Sequence, residues 1–448
     1  MYKSSFFGKM GNFFSLVKDK LKKVGNSEAP TGYFFLTIFF TLIFSKFLEL
    51  LLRIKFVEID TISNFYSIAQ LTFLYLMGAL AFTLVLYLIF KKPLKMIMKV
   101  VFTSVSLLIL IPFVYVIEGV FDRKTGLASE MVLQNFGPVD LTFNLDNMFI
   151  HVFLMSIFGL AVIVYYLARS EQAKLIIKDI RPDRLLHYEL MFILGIVLAV
   201  DITDATLHFP HDLFKLGVVV ISITLGVLYS IFVNNIEDIE IDKVTNKERP
   251  LISGDFDERT YKNLSWAILF VIFLYAFSIS EVFLFLLLTY IASYFIYSAQ
   301  PLRLKRIPFL SKGFISINSL LLVLGGYHLV NGSLASFPVE VTLLFMIAFT
   351  AVMNFIDIKD YEGDKAVGIK TLPVLMGLKN SKILIGVFFL LTFLGAYFIF
   401  SELIMLIPLA LFGIVELYFV TREDYREEYV FTTYLIGLIA LIGLLMFM

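Results

Sequence analysis

Carboxylates recur at helical spacing in two places, and that pattern suits a divalent-cation site. The segment from residue 234 reads NNIEDIEIDKVTNKERPLISG and directly follows an apolar run. Asn234, Asp238 and Asp242 stand at i, i+4 and i+8, positions that share one face of a helix. Further along, NFIDIKDYEGDKAVGIKTLPVLMG places Asp357, Asp360 and Asp364 at three- and four-residue spacing after another apolar run. Magnesium takes oxygen ligands and is typically held by one or two carboxylates together with substrate phosphates. Two such clusters facing one cavity would hold magnesium ions around a diphosphate. The candidate metal ligands are Asn234, Asn235, Asp238, Asp242, Asp357, Asp360 and Asp364. Neutralising charge on a diphosphate leaving group lowers the barrier to C–O cleavage, so Asp238, Asp242, Asp360 and Asp364 are the candidate catalytic residues. Nearby cations would grip the free phosphate oxygens: Lys247 and Arg249 after the first cluster, Arg303 and Lys305 in YSAQPLRLKR, Lys365 and Lys370 after the second. Arginine's fork suits phosphate geometry, while lysine acts as a point charge. The competing reading is a pair of solvated acidic helix ends, and spacing alone leaves both readings open.

The elements that would position these residues are membrane helices. Of 448 residues 59% are hydrophobic and only 17% charged, whereas a soluble domain is nearer half apolar and a quarter charged. The 49 phenylalanines suit helices that face lipid. A spanning helix needs about 20 apolar residues. Runs of that kind fall at 33–52, 66–90, 98–117 and 148–168, then at 188–207, 213–233, 263–280, 282–298, 313–331, 339–356, 383–400, 403–420 and 430–448. The expectation is therefore an all-α polytopic bundle, in which each helix closes its own backbone hydrogen bonds.

Charge orients the bundle and excludes some chemistries. Lys+Arg and Asp+Glu are both 37, so no basic face argues for nucleic acid as a partner. Cysteine is absent, which excludes disulfides, thiolate catalysis and cysteine-ligated metals. Residues 1–30 carry six lysines among aromatic residues and lack the apolar core of a signal peptide. They read as a basic arm, either solvated or lying on an anionic membrane surface. Placing that arm in the cytoplasm puts the basic loops 91–97, 169–187 and 299–312, and both carboxylate clusters, on the same side. Lys and Arg mark that side. The polar stretch RSEQAKLIIKDIRPDR then separates a four-helix region, 31–177, from a nine-helix unit, 178–448.

The motifs together resemble the UbiA superfamily of intramembrane prenyltransferases. That family's NDxxDxxxD appears as Asn234-Asn235-x-x-Asp238-x-x-x-Asp242, and its DxxxD as Asp360-x-x-x-Asp364. Arg249-Pro250-Leu251-Ile252-Ser253-Gly254, the run from Tyr297 to Lys305, and Arg181-Pro182 before the unit's first helix also match. The second motif position is usually Asp and is Asn235 here. The resemblance implies a nine-helix UbiA-like core plus about four extra N-terminal transmembrane helices, in a prokaryotic cell membrane. It implies Mg2+, an isoprenyl diphosphate donor in a cavity open to lipid, and an acceptor that attacks an allylic carbocation. Tyr294 and Tyr297 are candidate ring partners for that cation, and Tyr297 is also counted with the diphosphate-binding residues.

The acceptor stays open between an aromatic quinone precursor and a lipid-like hydroxyl, with His187, Tyr188 and Glu189 near its expected pocket. Asp201, Asp204, His208 and His211 gather near the opposite face and read as the wet end of a helix and loop. Two other classes compete with the enzyme. A secondary transporter would show internal repeats and broken helices near the bilayer centre, and no repeat is visible. A catalytically impaired UbiA-like scaffold would fit Asn235.

Overall fold

A computed structural model describes residues 145–203, 211–245, 249–254, 256–307, 310–367, 370–400 and 403–447. The basic arm and the expected spans at 33–52, 66–90 and 98–117 lie outside these residues, as do Lys247, Asp204 and His208. The turn Ala299–Arg303 belongs to one unit and is described by itself; residues 145–298 and 304–447 belong to another.

The described part of each apolar run expected from 148 onward falls on a helix. The order is α1 (Leu145–Ala168), α2 (Ser170–Asp179), α3 (Pro182–Thr203), α4 (His211–Glu237), α5 (Ile239–Thr245), α6 (Pro250–Ser253), α7 (Glu258–Ile279) and α8 (Glu281–Ser298). A 3₁₀ turn at Leu304–Arg306 precedes α9 (Leu310–Asn331). The composite span α10 (Val339–Asp357) follows. Then come α11 (Tyr361–Val367), α12 (Leu372–Met376), α13 (Leu378–Phe400), α14 (Leu406–Thr421) and α15 (Glu427–Phe447). Among the described residues there is no strand, and nine helices are long and apolar enough to cross a membrane, with α14 shorter. The chain is an integral membrane protein. Its outward side chains, such as Leu167, Phe270, Ile347 and Ile407, are large and apolar, as lipid requires.

Two boundaries differ from the sequence expectation. The polar stretch before 188 is helical: α2 occupies it, and α3 begins at Pro182, before the apolar run. Proline is favoured in the first helical turn because it has no N–H to leave unpaired. That early start places Arg184 in the first turn of α3, with Arg181 just before it.

Close helix approach sets the frame around the site. α3 and α9 pack so tightly that a Cβ at Gly195 would fall 2.0 Å from the Val323 carbonyl oxygen. One at Gly326 would fall 2.0 Å from the Phe192 oxygen. Small residues bring membrane helices together in this way because lipid offers no hydrophobic drive. α7 is started by Asp257, whose side chain accepts from the Thr260 N–H at 2.8 Å, an N-cap.

α10 departs from α-geometry where it matters. Leu344–Phe349 is a π-helical turn and Met353–Asp357 a 3₁₀ turn. The Phe345 carbonyl accepts from the hydroxyls of Ser316 and Thr350, which satisfies a backbone group within an apolar segment. These changes of pitch set the direction in which Asp357 leaves the helix.

Candidate active site

The first cluster is built by helical continuity. α4 ends at Glu237, yet the ladder carries on: Asp238 N–H donates to Asn234 O at 2.9 Å, and Asp242 N–H to Asp238 O at 2.8 Å. The i, i+4, i+8 spacing is therefore kept across the helix end. Lys305 reaches this face from the 3₁₀ turn. Its Nζ donates to Asn234 Oδ1 at 2.9 Å and to Asp238 Oδ2 at 2.5 Å. Lys305 thus pairs with an amide oxygen and a carboxylate on the same helix face. Ser298 Oγ also donates to Asn234 Oδ1, at 3.3 Å.

A cavity of about 300 Å³ opens at this face. Arg181, Arg184, Arg249 and Lys305 line it, against the single carboxylate of Asp238. The balance favours an anion. Burial, followed by the repulsion of Arg184 and Arg249, brings the Arg181 guanidinium below its usual range to about 10, so it remains charged at neutral pH. Four tyrosines, Tyr188, Tyr290, Tyr294 and Tyr297, form the aromatic wall. Their rings meet in steps: Tyr188 and Tyr290 lie 5.4 Å apart edge to face, Tyr290 and Tyr294 5.1 Å, Tyr294 and Tyr297 6.0 Å. The Tyr188 and Tyr294 hydroxyls share a hydrogen bond.

The second cluster is arranged differently. Asp357 is buried at the end of α10, where Lys312 Nζ donates to its Oδ1 at 2.5 Å. Asp360 is exposed. Asp364 N–H donates to Asp360 O at 2.8 Å, so the pair shares one helical turn. Burial raises the Asp364 carboxyl above its ordinary range. Repulsion from Asp357 and Asp360 adds to that rise.

The expected site residues divide accordingly. Asn234, Asn235, Asp238, Arg249, Tyr297 and Lys305 line the cavity. Asp242 sits one helical turn beyond Asp238, half-buried. Asp357, Asp360 and Asp364 do not line it, and Lys365 and Lys370 are exposed; Lys365 lies over the Tyr361 ring. Arg303 has a left-handed φ of 47°, and its N–H donates to Ala299 O at 2.8 Å within its turn. Among the described residues no three acidic or histidine side chains group closely enough to hold a metal alone. One or two carboxylates with substrate phosphates are what magnesium uses, so the donor set fits that ion with its phosphate partner.

Several functional candidates were missed by sequence reasoning. Arg181 and Arg184 counted only as loop charge, or as part of a family motif; their spacing around Pro182 was the available signal. Lys312 counted as loop charge before an apolar run. Of the acceptor-pocket candidates only Tyr188 lines the cavity. His187 is buried between Ser319 Oγ (2.9 Å) and Tyr434 OH (3.0 Å), and Glu189 accepts from Thr224 Oγ1 at 3.2 Å. Asp201 is exposed at the other end of α3.

Comparison with known proteins defines the class. The sequence model of the UbiA prenyltransferase family matches residues 191–442, more than half of the chain. This chain belongs to the UbiA prenyltransferase family. Among curated relatives, it is 30% identical over 223 residues to a digeranylgeranylglyceryl phosphate synthase of Thermococcus sibiricus, covering 49% of this chain and 74% of that protein. It is 30% identical over 179 residues to a probable homogentisate phytyltransferase 2 of Oryza sativa subsp. japonica, covering 37% and 46%. A chlorophyll synthase of Arabidopsis thaliana is 27% identical over 161 residues, covering 34% and 42%. The chain spans about half the length of the plant relatives it matches. A solved UbiA homolog from Archaeoglobus fulgidus, bound to GPP and Mg2+, is 19% identical with a TM-score of 0.49, covering 60% of this chain and 97% of that one.

Proposed function

We propose that the protein transfers a prenyl group from an isoprenyl diphosphate to an acceptor within the membrane. The observation that carries this reading is the cavity in which four cations and one carboxylate face a wall of tyrosine rings. Arg181, Arg184, Arg249 and Lys305 bind and orient the diphosphate head. Arginine forks and a lysine point charge favour an anion there over water. Magnesium, when bound with the phosphates, supplies further charge neutralisation to the leaving group. Asn234, Asp238 and Asp242 of the first cluster, and Asp360 and Asp364 of the second, would hold it.

The donor's C–O bond breaks with its electron pair leaving on the diphosphate. The allylic carbon becomes electron-poor, and Tyr188, Tyr290, Tyr294 and Tyr297 present π-electron density to it. The same walls exclude water, which would otherwise capture the cation. The acceptor forms the new bond through an aromatic carbon or a hydroxyl oxygen and loses a proton. The relatives include enzymes named for both kinds of acceptor, and both remain within the proposal. The cluster-bearing ends of α4 and α10 belong on the cytoplasmic side in this reading, where the basic loops place them.

The test is diphosphate release from farnesyl or geranylgeranyl diphosphate with Mg2+, with candidate aromatic and hydroxyl acceptors. The reading predicts release and a prenylated product. A protein that binds the donor but releases no diphosphate from either, with any acceptor, would be a scaffold instead.

A further inference from the structure

The motif position Asn235 points two ways. Its amide nitrogen donates to Asp179 Oδ2 at 2.5 Å and to the Tyr261 hydroxyl at 2.8 Å. Its Oδ1 is buried without a hydrogen-bond partner. The side chain is 2% exposed. Asp179, the last residue of α2 and 9% exposed, has its other oxygen, Oδ1, paired with the Arg249 guanidinium. Arg249 in turn lines the cavity. One carboxylate therefore joins an amide from the end of α4 to a cation from the start of α6.

The direction of this network follows from what each group can donate. A carboxylate accepts only, so it is the amide N–H face of Asn235 that must turn to Asp179. Tyr261 is held against the same amide by packing. Its ring stacks on Phe232 at 4.1 Å and meets Phe256 edge to face at 5.2 Å. With both nitrogen contacts engaged, the amide is fixed.

We infer that Asn235 acts as a hydrogen-bond donor that seats Asp179, and that Asp179 holds Arg249 at the cavity wall; both are positioning residues for the diphosphate. This rests on the proposed function. A carboxylate at 235 would face Asp179 with no proton between them. Like charges at such distance repel, and Asp179 would lose its amide partner and keep only Arg249. The chain carries one negative charge in this network and places it on α2, not on the motif helix. The buried Asn235 oxygen offers the rival role of cation ligand. The two roles predict opposite signs for the same substitution, because an aspartate keeps the oxygen, adds charge and loses the N–H.

The experiment titrates inorganic pyrophosphate, in the presence of Mg2+, onto the full chain in detergent by calorimetry. It compares wild type with Asn235→Asp, Asp179→Asn and the double exchange Asp179→Asn/Asn235→Asp. Each single variant is expected to weaken pyrophosphate binding about tenfold or more, the scale of one charge-assisted hydrogen bond. The double exchange restores one amide and one carboxylate and is expected to recover most of the loss. Asn235→Asp binding pyrophosphate as tightly as wild type, or tighter, overturns the inference in favour of a cation ligand. A double variant no better than the weaker single variant overturns it too. Should Asn235→Asp not fold, Asn235→Ala removes the donor without adding charge and is expected to show the same tenfold loss; unchanged affinity there overturns the inference. Wild type failing to bind pyrophosphate at all would sink the proposed function itself, which keeps the two outcomes apart.

Discussion

The two carboxylate clusters carry similar spacing, yet the protein treats them differently. At the first, Asn234 and Asp238 share Lys305 inside a walled cavity with three arginines. At the second, Asp357 is committed to Lys312 and buried with it, while Asp360 stands exposed. One cluster is set against a ready anion pocket. The other pairs a fixed ion pair with carboxylates left to the open side. Equal motifs in sequence thus need not be equal in role: what surrounds each carboxylate decides whether it positions, anchors or binds.

Breaking the anchor gives the largest expected effect. Lys312 and Asp357 are 8% and 12% exposed. Removing one member of a buried pair leaves an uncompensated charge and costs about 3–5 kcal/mol. Lys312→Met should therefore lower the thermal unfolding midpoint sharply in detergent, while Lys312→Met with Asp357→Asn should be much milder. Equal losses for the single and double variants would mean that the pair is not what holds the end of α10. At the first cluster the loss falls on turnover instead. Asp238→Asn, which keeps an acceptor for Lys305, should cut diphosphate release by about 10²–10³-fold, the scale of removing one group that stabilises developing charge, with a smaller fall in the unfolding midpoint than Lys312→Met.

Cavity cations come next. Arg181→Gln or Arg184→Gln should raise the donor KM by about 10- to 100-fold, as expected for a lost charge-assisted hydrogen bond. The acceptor KM should not move. A change confined to the acceptor would contradict their phosphate role.

Acidity sharpens the contrast more gently. Burial, only partly offset by Arg249, raises the Asp242 carboxyl above its ordinary range. A raised pKa means that Asp242 keeps its proton to a higher pH than a solvated aspartate, and the neutral form does not bind a cation. As pH falls, Mg2+ affinity should therefore drop earlier than an ordinary aspartate would allow, and Asp242→Asn should flatten that acid limb. The sign for folding is the reverse. The folded chain holds this proton more tightly than the unfolded one, so ionised Asp242 opposes folding above its folded pKa, and Asp242→Asn should be slightly stabilising at neutral pH. The smallest effect belongs to the exposed Lys365, where Lys365→Ala should change donor KM by less than about threefold, as for most surface substitutions.

How much of this was legible depended on distance along the chain. The Asn234–Asp238–Asp242 face was readable because an α-helix keeps its period through Asp238. Every described apolar run found its helix because lipid forces local hydrogen bonding on each segment. The direction of Asp357 was not readable. It depends on a π turn and a 3₁₀ turn within α10, and residue counting assumes one pitch. Arg181 and Arg184 looked like loop charge because the structure that makes them cavity walls comes from α4, α6 and α8. The Asp179–Asn235 bond spans two helices separated by a whole membrane segment, and no local pattern reports such a pairing.

The account stands or falls on where the diphosphate head binds. A structure of the full chain with Mg2+ and a thiolodiphosphate donor that cannot ionise tests this directly. The account predicts phosphate density inside the tyrosine-walled cavity, contacting Arg249 and Lys305 and within reach of Asp238. Phosphate density on the exposed face beside Lys365 and Lys370, with the cavity holding none, would contradict it.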